Sequence, residues 1–295
     1  MRRLTSEHMI WEMGKTHPAA YSIQEGERVI VETLDCHAGL VGRDGRMNPK
    51  PHRANPATGP IEIEGSEPEE AVAVTIHEIS PADWGFVGGG GDQSQFTVVE
   101  MGTGASSCRM GERLAVYPWG LRLPLMPVVG VIGLAPAGEA VPTTTPGDHG
   151  GNLDTVDVCA GATLFLPVAV PGGLLALGDV HALQGDGECG GTGIECAAEV
   201  TLSVRRVKEP LCALPYLVRD DRLMMLASAD TLDDAAWQAV AAMAGVLTKL
   251  AGLSDVEARR LLSTAGEVRI SQIVNPKKTC RAVIPRAAIP DQWPF

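Results

Sequence analysis

The sequence of 295 residues has few basic residues, 24 lysines and arginines against 36 aspartates and glutamates, and its formal net charge is −12. A nucleic acid presents a run of phosphates that clustered cationic side chains must neutralise, so this charge argues against a nucleic-acid partner. The same charge argues against binding to an anionic membrane surface. We therefore expect partners of another kind.

The chain also lacks a CxxC pair, and its seven cysteines are odd in number, which argues against a disulfide framework or a structural zinc knuckle. No apolar segment follows the basic N-terminal residues. No uninterrupted run of about 18 apolar residues, the length needed to cross a bilayer, is present. We expect a reduced, cytoplasmic protein with no membrane span.

Several well-known motifs are missing as well. The sequence has neither the GxSxG motif nor an SxxK motif with its partners. The glycine-rich segment at residues 88–92 lacks the GxxxxGK[ST] pattern, and we interpret it as a loop rather than a phosphate cradle. A catalytic cysteine needs a histidine in contact with it, which a sequence cannot show, and we interpret Cys36 and Cys189 as packed side chains.

Alternation of apolar and polar residues dominates the first two thirds of the chain and predicts strands. Apolar residues make up 45% of the chain, enough for a sizeable core. A Pro- and Gly-rich turn is predicted at residues 55–60. The predicted strands are residues 28–34, 61–64, 71–77, 128–134, 164–170, 199–205 and 270–274.

The last third of the chain has helical spacing instead. Thr231 is the predicted N-cap of one helix that ends at Gly252, and Ser254 with Glu257 forms a capping box for a second. We predict a mainly β (α+β) fold, with β-sandwich or barrel-like sheets and a small helical C-terminal portion. Residues 1–206 are the predicted β-rich domain that carries most of the site, and residues 207–295 are an α/β portion with two helices packed on it.

The most unusual stretch, residues 177–195, places charged side chains among six glycines after an almost wholly apolar segment. Within it, Asp179 and His181 are two residues apart, so in an extended chain they lie on the same face. Asp35 and His37 repeat this spacing. Two such pairs can supply oxygen and nitrogen ligands to a divalent metal such as zinc. The alternative is that each aspartate caps a turn.

Three carboxylates of the same stretch, Asp186, Glu188 and Glu195, follow apolar sequence. A carboxylate that is partly removed from water holds its proton more tightly, which suits a general acid or base. We therefore predict that these three are catalytic. Alternatively, Asp186 and Glu188 accept hydrogen bonds from turn amides.

A second polar group, at residues 150–154, follows His149. Asn152 can orient an amide or carbonyl oxygen, and Asp154 can bind a metal, although both can also stabilise an Asx turn. Together with Gln184 and Thr192, Asn152 is predicted to bind the substrate. The predicted metal ligands are His181, Asp179, Asp35 and Asp154. We expect Asp35, Asn152, Asp154, Asp179, His181 and Glu188 to converge on one pocket.

These residues resemble the acetamidase/formamidase family. The most specific match is residues 178–188 together with residues 191–195, and weaker matches occur in the family's order at residues 31–35, 55–60, 129–136 and 150–154. The resemblance extends over most of residues 22–286. Between residues 86 and 122 the chain departs from the family pattern, which leaves the size of the substrate open.

The resemblance implies a cytoplasmic hydrolase that cleaves the C–N bond of a small linear amide and releases ammonia. It further implies a β-rich fold, a homo-oligomer (a dimer or trimer) and zinc as a cofactor. Two alternatives remain: a hydrolase of cyclic amides (lactams), which needs a wider pocket, and a relative without catalysis that binds a small polar metabolite.

Overall fold

The structure is a computed structural model that describes residues 1–48, 53–89, 95–103 and 113–289. These residues form 22 strands, two α-helices and one short 3-10 helix, Arg286–Ala288. The strands are β1 (Arg2–Leu4), β2 (Met9–Ile10), β3 (Glu12–Met13), β4 (Tyr21–Ile23), β5 (Arg28–Thr33), β6 (Ala57–Ile63), β7 (Ala71–Pro81), β8 (Trp84–Val87), β9 (Thr97–Thr103), β10 (Arg113–Val116), β11 (Arg122–Pro124), β12 (Val128–Gly133), β13 (Val141–Pro142), β14 (Gly150–Asn152), β15 (Thr163–Pro167), β16 (Leu175–His181), β17 (Glu195–Cys196), β18 (Ala198–Val207), β19 (Tyr216–Arg219), β20 (Arg222–Ala229), β21 (Glu267–Gln272) and β22 (Lys278–Pro285). The helices are α1 (Leu232–Ala251) and α2 (Asp255–Ala265).

Two large sheets account for most of the described strands. One has nine strands in the order β1-β5-β18-β7-β15-β19-β20-β22-β21. The other has eleven strands: eight follow the order β11-β10-β9-β8-β17-β16-β12-β14, and β6 joins β16 to β2 and β4. Nearly all neighbours are antiparallel, with parallel pairing of β1 with β5 and of β4 with β6. The mainly β fold predicted from the alternating pattern is confirmed.

The two sheets pack against each other through one large hydrophobic core. Val31, Val74 and Val200 enter it from the nine-stranded sheet, while Val129 and Leu177 enter it from the eleven-stranded sheet. Each of these side chains is fully buried. Side chains on one face of each sheet thus meet in a sandwich, as the period-2 alternation requires.

A second core lies on the opposite face of the nine-stranded sheet, under α1. Met243 and Leu247 of α1 pack there with Leu223 and Met225 of β20, whereas Leu226, on the other face of β20, belongs to the first core. This strand therefore contacts a core on both faces, which explains its nearly continuous burial.

Local capping signals place both helices correctly. The Thr231 side chain accepts a hydrogen bond from the backbone of Asp234, and Gly252 ends α1 with a φ of 66°. Ser254 and Glu257 form the predicted reciprocal capping box of α2. Within the described residues no single helix is long and apolar enough to cross a membrane; α1 and α2 pass that test only as a joined pair, which is bent by 112°.

Not every predicted element is where the sequence placed it. The turn predicted at residues 55–60 is wrong, because β6 begins at Ala57 and pairs with β16. The predicted strand at residues 270–274 begins earlier, at Glu267, and ends at Gln272. Residues 90–92 of the predicted glycine loop lie outside the described part of the chain. The division at residue 206 stays a prediction; strands on both sides of it, β15 and β19, are neighbours in one sheet.

Candidate active site

The end of β16 is the centre of the site. All seven residues of this strand are buried, and the last three include Asp179 and His181. The adjacent β17 places Glu195 directly opposite His181 in the antiparallel register. On the other side of β16 lies β12, which pairs with β14 and so brings Asn152 to the same place. Residues far apart in sequence meet here because their strands are neighbours.

Four polar residues of this region have left-handed backbone conformations. The φ angles are 56° for Asn55, 40° for Asp154, 55° for Asp179 and 45° for Glu188. Residues other than glycine adopt such angles at a cost in free energy, and in folded proteins they concentrate at functional sites. Their clustering around one histidine indicates a site.

Two glycines allow the close approach of these side chains. A Cβ atom on Gly130 would lie 2.5 Å from a carboxylate oxygen of Asp154 and 2.6 Å from the carbonyl oxygen of Asp179. A Cβ atom on Gly193 would lie 2.6 Å from the His181 ring. Any larger residue at either position would displace a polar group of the site.

Gln184 determines which nitrogen of His181 carries the proton. The Gln184 amide nitrogen donates to the Asp154 carbonyl at 2.7 Å, so its amide oxygen faces His181 Nδ1 at 2.8 Å. Nδ1 therefore donates to that oxygen, and in a neutral ring Nε2 holds the lone pair. Nε2 lies 3.1 Å from Glu195 Oε1 and 3.7 Å from Asp179 Oδ1, which leaves a lone pair facing carboxylate oxygens.

Several buried polar atoms around this point have no hydrogen-bond partner. They are Asn152 Oδ1, Asp154 Oδ1, Asp179 Oδ1, His181 Nε2 and Glu195 Oε2. An unpaired buried acceptor costs free energy, and several acceptors facing one another cost more. A cation among them removes that cost, so these residues fit a divalent metal.

The potential ligand atoms also have suitable spacing. In each of two adjacent groups, one containing Cys36, Asp179 and Glu195 and the other Asp154, His181 and Glu188, they lie within 4.8 Å of one another. Ligands that each bind zinc at about 2.0–2.3 Å are roughly 3–4 Å apart, which this crowding approaches.

Burial of so many carboxylates raises their proton affinity. Removal from water raises the pKa of Glu188 to about 9, and the neighbouring Asp154 carboxylate adds to the effect. The pKa of Glu195 rises to about 8 and that of Asp154 to about 6, chiefly for the same reason. Burial by itself lowers the pKa of His181, but Glu195 and Asp179 outweigh it and hold that pKa well above its usual value. Without a metal, the cluster retains protons at neutral pH.

The structure assigns part of the site to residues that the sequence analysis did not select. Asn55 donates to Asp179 Oδ2 at 2.7 Å, and Asn275 donates to Asp154 Oδ2 at 2.6 Å. Each asparagine precedes a proline, and that shared Asn-Pro pair is the signal that could have pointed to them. Cys36, interpreted as a packed residue, lines the cavity beside Asp179 and Glu195.

Some predicted site residues have other partners. The Asp35 carboxylate accepts hydrogen bonds from the backbone N–H groups of His37 and Gly39, which is the turn-capping alternative. Asp186 is exposed and pairs with Arg281 at 2.7 Å. Neither carboxylate lines the cavity. Gln184 has both ends of its amide bonded within the protein, so it orients His181 rather than facing a ligand.

Most of the remaining predicted residues line one cavity of about 400 Å³. We call the part formed by Asn152, Asp154, Asp179, Glu188 and Glu195 its polar end. His181 does not line the cavity itself and contacts Glu195 at 3.1 Å. Thr192 also lines it and accepts a hydrogen bond from the Gly88 backbone at 2.9 Å. Buried carboxylates of raised pKa, a histidine whose Nε2 faces them and an amide oxygen without a partner can together bind a small polar molecule and move its protons.

Comparison with known proteins agrees with this chemistry. The model of the Acetamidase/Formamidase family matches residues 128–216, which contain β12, β14, β16 and β17. The acetamidase of Bacillus halodurans is 39% identical, with a TM-score of 0.91 over 98% of this chain and 99% of that one. The acetamidase of Yersinia enterocolitica is 28% identical, with a TM-score of 0.88 over 98% of this chain and 92% of that one.

A formamidase of Methylophilus methylotrophus is 27% identical over 255 residues, which are 65% of this chain and 62% of that protein. The chain therefore spans less than two thirds of the length of that relative. Identity, coverage and fold agree for the two acetamidase structures. The chain belongs to the acetamidase/formamidase family, enzymes that hydrolyse C–N bonds other than peptide bonds.

Proposed function

We propose that this protein hydrolyses a small, uncharged linear amide to a carboxylic acid and ammonia, with a divalent metal, zinc, held in the polar cluster. The observation that carries the proposal is the group of unpartnered buried atoms at the polar end of the cavity. Amide hydrolysis requires an attacking water, a polarised carbonyl and a proton for the leaving nitrogen. The side chains at this end of the cavity match each requirement.

The donor set favours zinc over magnesium or calcium. His181 offers an imidazole nitrogen and Cys36 a sulfur, whereas magnesium and calcium prefer sites made of oxygen alone. Asp179, Glu195, Asp154 and Glu188 complete the potential ligands. A divalent metal bound here would supply Lewis acidity, since it lowers the pKa of water and withdraws charge from a carbonyl oxygen.

Asn152 is positioned to hold the amide group of the substrate. Its Oδ1 is buried without a partner, and an amide NH2 group supplies the hydrogen-bond donor that it lacks. Its own backbone carbonyl accepts from Asn275 at 3.1 Å, which fixes this segment against the loop after β21. The contact would orient the leaving nitrogen toward the carboxyl groups.

Glu188 is our choice for the group that moves the proton. Burial raises its pKa to about 9 in the metal-free site, so it holds a proton tightly. A bound cation would favour its ionised form, which could take a proton from the attacking water and pass it to the nitrogen. Glu195 is the second candidate for this role. Because it lies 3.1 Å from His181 Nε2, it is better placed to bind the metal beside that histidine. The Gly191 backbone N–H donates to the Glu188 carbonyl, which fixes the turn that presents the carboxyl group.

Ammonia release from formamide, acetamide and propionamide, together with formation of the ring-opened amino acid from a small lactam, tests the proposal directly. We expect turnover of the linear amides, its loss after chelation and its return with zinc. Glu188→Gln should lower kcat by roughly 10²-fold or more, whereas Glu199→Gln, at an exposed position outside the cavity, should not. Turnover of the lactam alone would favour the cyclic-amide alternative, and no ammonia from any amide with zinc-loaded protein would refute the proposal.

We further propose that the protein acts in a reducing, cytoplasmic environment as a homo-oligomer. The cysteines support the first part, because six of the seven lie in the described residues and all six are free thiols. Size-exclusion chromatography with light scattering would measure the oligomeric state.

A further inference from the structure

The cavity has apolar lining that the proposed chemistry does not use. Besides the carboxylates, the lining includes Met47, Phe96 and His37. Met47 and Phe96 are half-buried and belong to a small apolar cluster with Cys36 and Phe86. We call Met47 and Phe96 the apolar wall. Polar and apolar parts of one cavity suit a ligand that is itself polar at one end and apolar at the other.

Backbone pairing holds the two residues of the apolar wall together. The segment around Arg46 bridges to Gln95, and the Phe96 N–H donates to the Gly45 carbonyl at 2.8 Å. Gly45 has a φ of 73°, and a Cβ atom there would lie 2.4 Å from the Phe96 carbonyl oxygen. Since only glycine fits this contact, the wall is a built feature of the fold rather than two side chains that happen to meet.

Aromatic packing fixes the Phe96 ring. Its centroid lies 5.1 Å from that of Phe86, at an interplanar angle of 72°, and 5.3 Å from that of His37. Phe86 is itself buried, at 1% exposure. These edge-to-face contacts are favourable and keep the ring at the cavity. When an apolar group of a ligand covers this apolar surface, both are removed from water, which stabilises the complex.

The lining residues also disfavour substrates that carry a negative charge on the acyl group. Among the described residues that line the cavity, none is a lysine or an arginine, whereas Asp154, Asp179 and Glu188 are carboxylic acids. A carboxylate on the acyl group would lose its water at the apolar wall without a cationic partner among these residues.

The size of the cavity also favours an acyl group larger than methyl. A volume of about 400 Å³ lies within the range of pockets that hold ligands of drug size. Acetamide would leave most of that volume, including the apolar wall, to water.

From these observations we propose that the physiological substrate is an uncharged primary amide with an apolar acyl group that is larger than methyl and is either aromatic or branched aliphatic. Met47 and Phe96 select this acyl group. This inference rests on the proposed amide hydrolysis and adds the class of the acyl group. The amide would lie among Asn152 and the carboxylates, and the acyl group would lie against the wall.

The test measures kcat/KM of the zinc-loaded protein for acetamide, butyramide, benzamide and succinamic acid by ammonia release. We expect benzamide to exceed acetamide by about 10-fold or more, the lower end of what one or more extra carbons contribute in an apolar pocket. Butyramide should exceed succinamic acid, which adds a carboxylate to a chain of similar length. A preference for acetamide over both larger amides, or for succinamic acid over butyramide, would overturn the inference while leaving amide hydrolysis intact.

Variants then test whether the wall is responsible. Phe96→Ala and Met47→Ala should each lower the benzamide-to-acetamide ratio of kcat/KM by about 10-fold, and Phe96→Leu should restore part of it. Trp119→Ala and Met126→Ala are matched controls, because both side chains are exposed and lie outside the cavity. An unchanged ratio in folded Phe96→Ala and Met47→Ala would reject the wall as the selecting surface.

A variant that narrows the cavity provides an independent test of the inference. A Cβ atom on Gly88 would lie 3.1 Å from the Phe96 ring and 3.3 Å from Thr192 Cγ2, so Gly88→Ala should reduce benzamide turnover more than acetamide turnover. Equal effects on both substrates would count against the inference. If no variant and no wild-type preparation releases ammonia from any amide, both the proposed function and this inference are refuted.

Discussion

At the scale of single residues, the site is a concentration of groups that are unfavourable in isolation. Asp154, Asp179 and Glu188 have left-handed φ angles, and their carboxyl groups are buried close to one another and to Glu195. Neither the backbone strain nor the crowded charge benefits the fold by itself. Both are explained if the cluster serves to bind a cation and to transfer protons.

The first prediction concerns metal affinity. Gln184→Leu removes the acceptor that holds the proton on His181 Nδ1 and fixes the ring. Loss of such a partner of a metal ligand typically lowers affinity by about 10–100-fold. Competition with a chelator of known zinc affinity would measure the change, with Gln238→Leu, on the outer part of α1, as the control. Equal affinities of wild type and Gln184→Leu would show that Gln184 does not orient the ligand.

The second prediction concerns pH and the metal-free protein. The pKa of Glu188 is raised from 4.5 to about 9 on folding, so the folded protein binds more protons than the unfolded chain between these values. By linkage, the free energy of unfolding falls as pH rises through that window. Zinc should therefore increase the Tm most at the alkaline end of the window, where the carboxylates are ionised.

The control for this prediction is Glu188→Gln, which cannot titrate at this position. Thermal unfolding of the metal-free proteins across the same window should show a shallower decline in Tm for Glu188→Gln than for the wild type. Parallel declines would mean that Glu188 does not hold the additional proton.

At the scale of elements, the hairpin of β21 and β22 fixes the loop that presents Glu188. Arg281 of β22 is 0% exposed and pairs with Asp157 at 2.8 Å and Asp186 at 2.7 Å. The Gly187 N–H donates to the Ser271 carbonyl, and the Ile273 N–H donates to the Gly187 carbonyl. Asp186 thus connects the glycine-rich loop to the hairpin.

The third prediction tests this connection. Arg281→Met leaves buried acceptors unpaired, so we expect a loss of about 3 kcal/mol in the free energy of unfolding. It should also lower kcat, because the Glu188 loop loses its anchor. The exposed pair of Arg259 and Asp255 provides the control, and Arg259→Met should cost about 0.5 kcal/mol or less. Urea unfolding measures both changes. Similar losses in the two variants would contradict the anchoring role.

At the scale of the whole molecule, the nine-stranded sheet separates two cores. The site lies at the end of β16, an interior strand of the eleven-stranded sheet, whereas α1 covers the far face of the nine-stranded sheet. Stability and catalysis should therefore be separable. A change under α1 should weaken the fold without altering the chemistry of the site.

The fourth prediction follows from this arrangement. Met243 is fully buried in the core under α1, so Met243→Ala should lower the free energy of unfolding by about 2–5 kcal/mol. At temperatures where the variant is folded, kcat should match that of the wild type. Met126→Ala, at a position that is 56% exposed, should change neither quantity. A large fall in kcat for folded Met243→Ala would show that the two cores are coupled.

The sequence by itself determined the elements whose signals are local. Thr231, Ser254 and Gly252 set the ends of α1 and α2 through contacts within a few residues, and a two-residue repeat of buried side chains specified strands such as β5 and β18. The sequence also identified the segment that contains Asp179, His181 and Glu188. Charged side chains in a buried, glycine-rich segment raise the free energy of the fold unless they bind a ligand or one another.

Only the tertiary structure decided which polar groups meet. Asn55 reaches Asp179 across 124 residues of chain, and Asn275 reaches Asp154 across 121; nothing in the local sequence specifies either contact. Asp35 instead keeps a local partner, the backbone of its own turn, and Asp186 pairs with Arg281 across 95 residues. Strand pairing brings the distant partners together, and a polar group removed from water is stabilised by the hydrogen bond or opposite charge that it finds there.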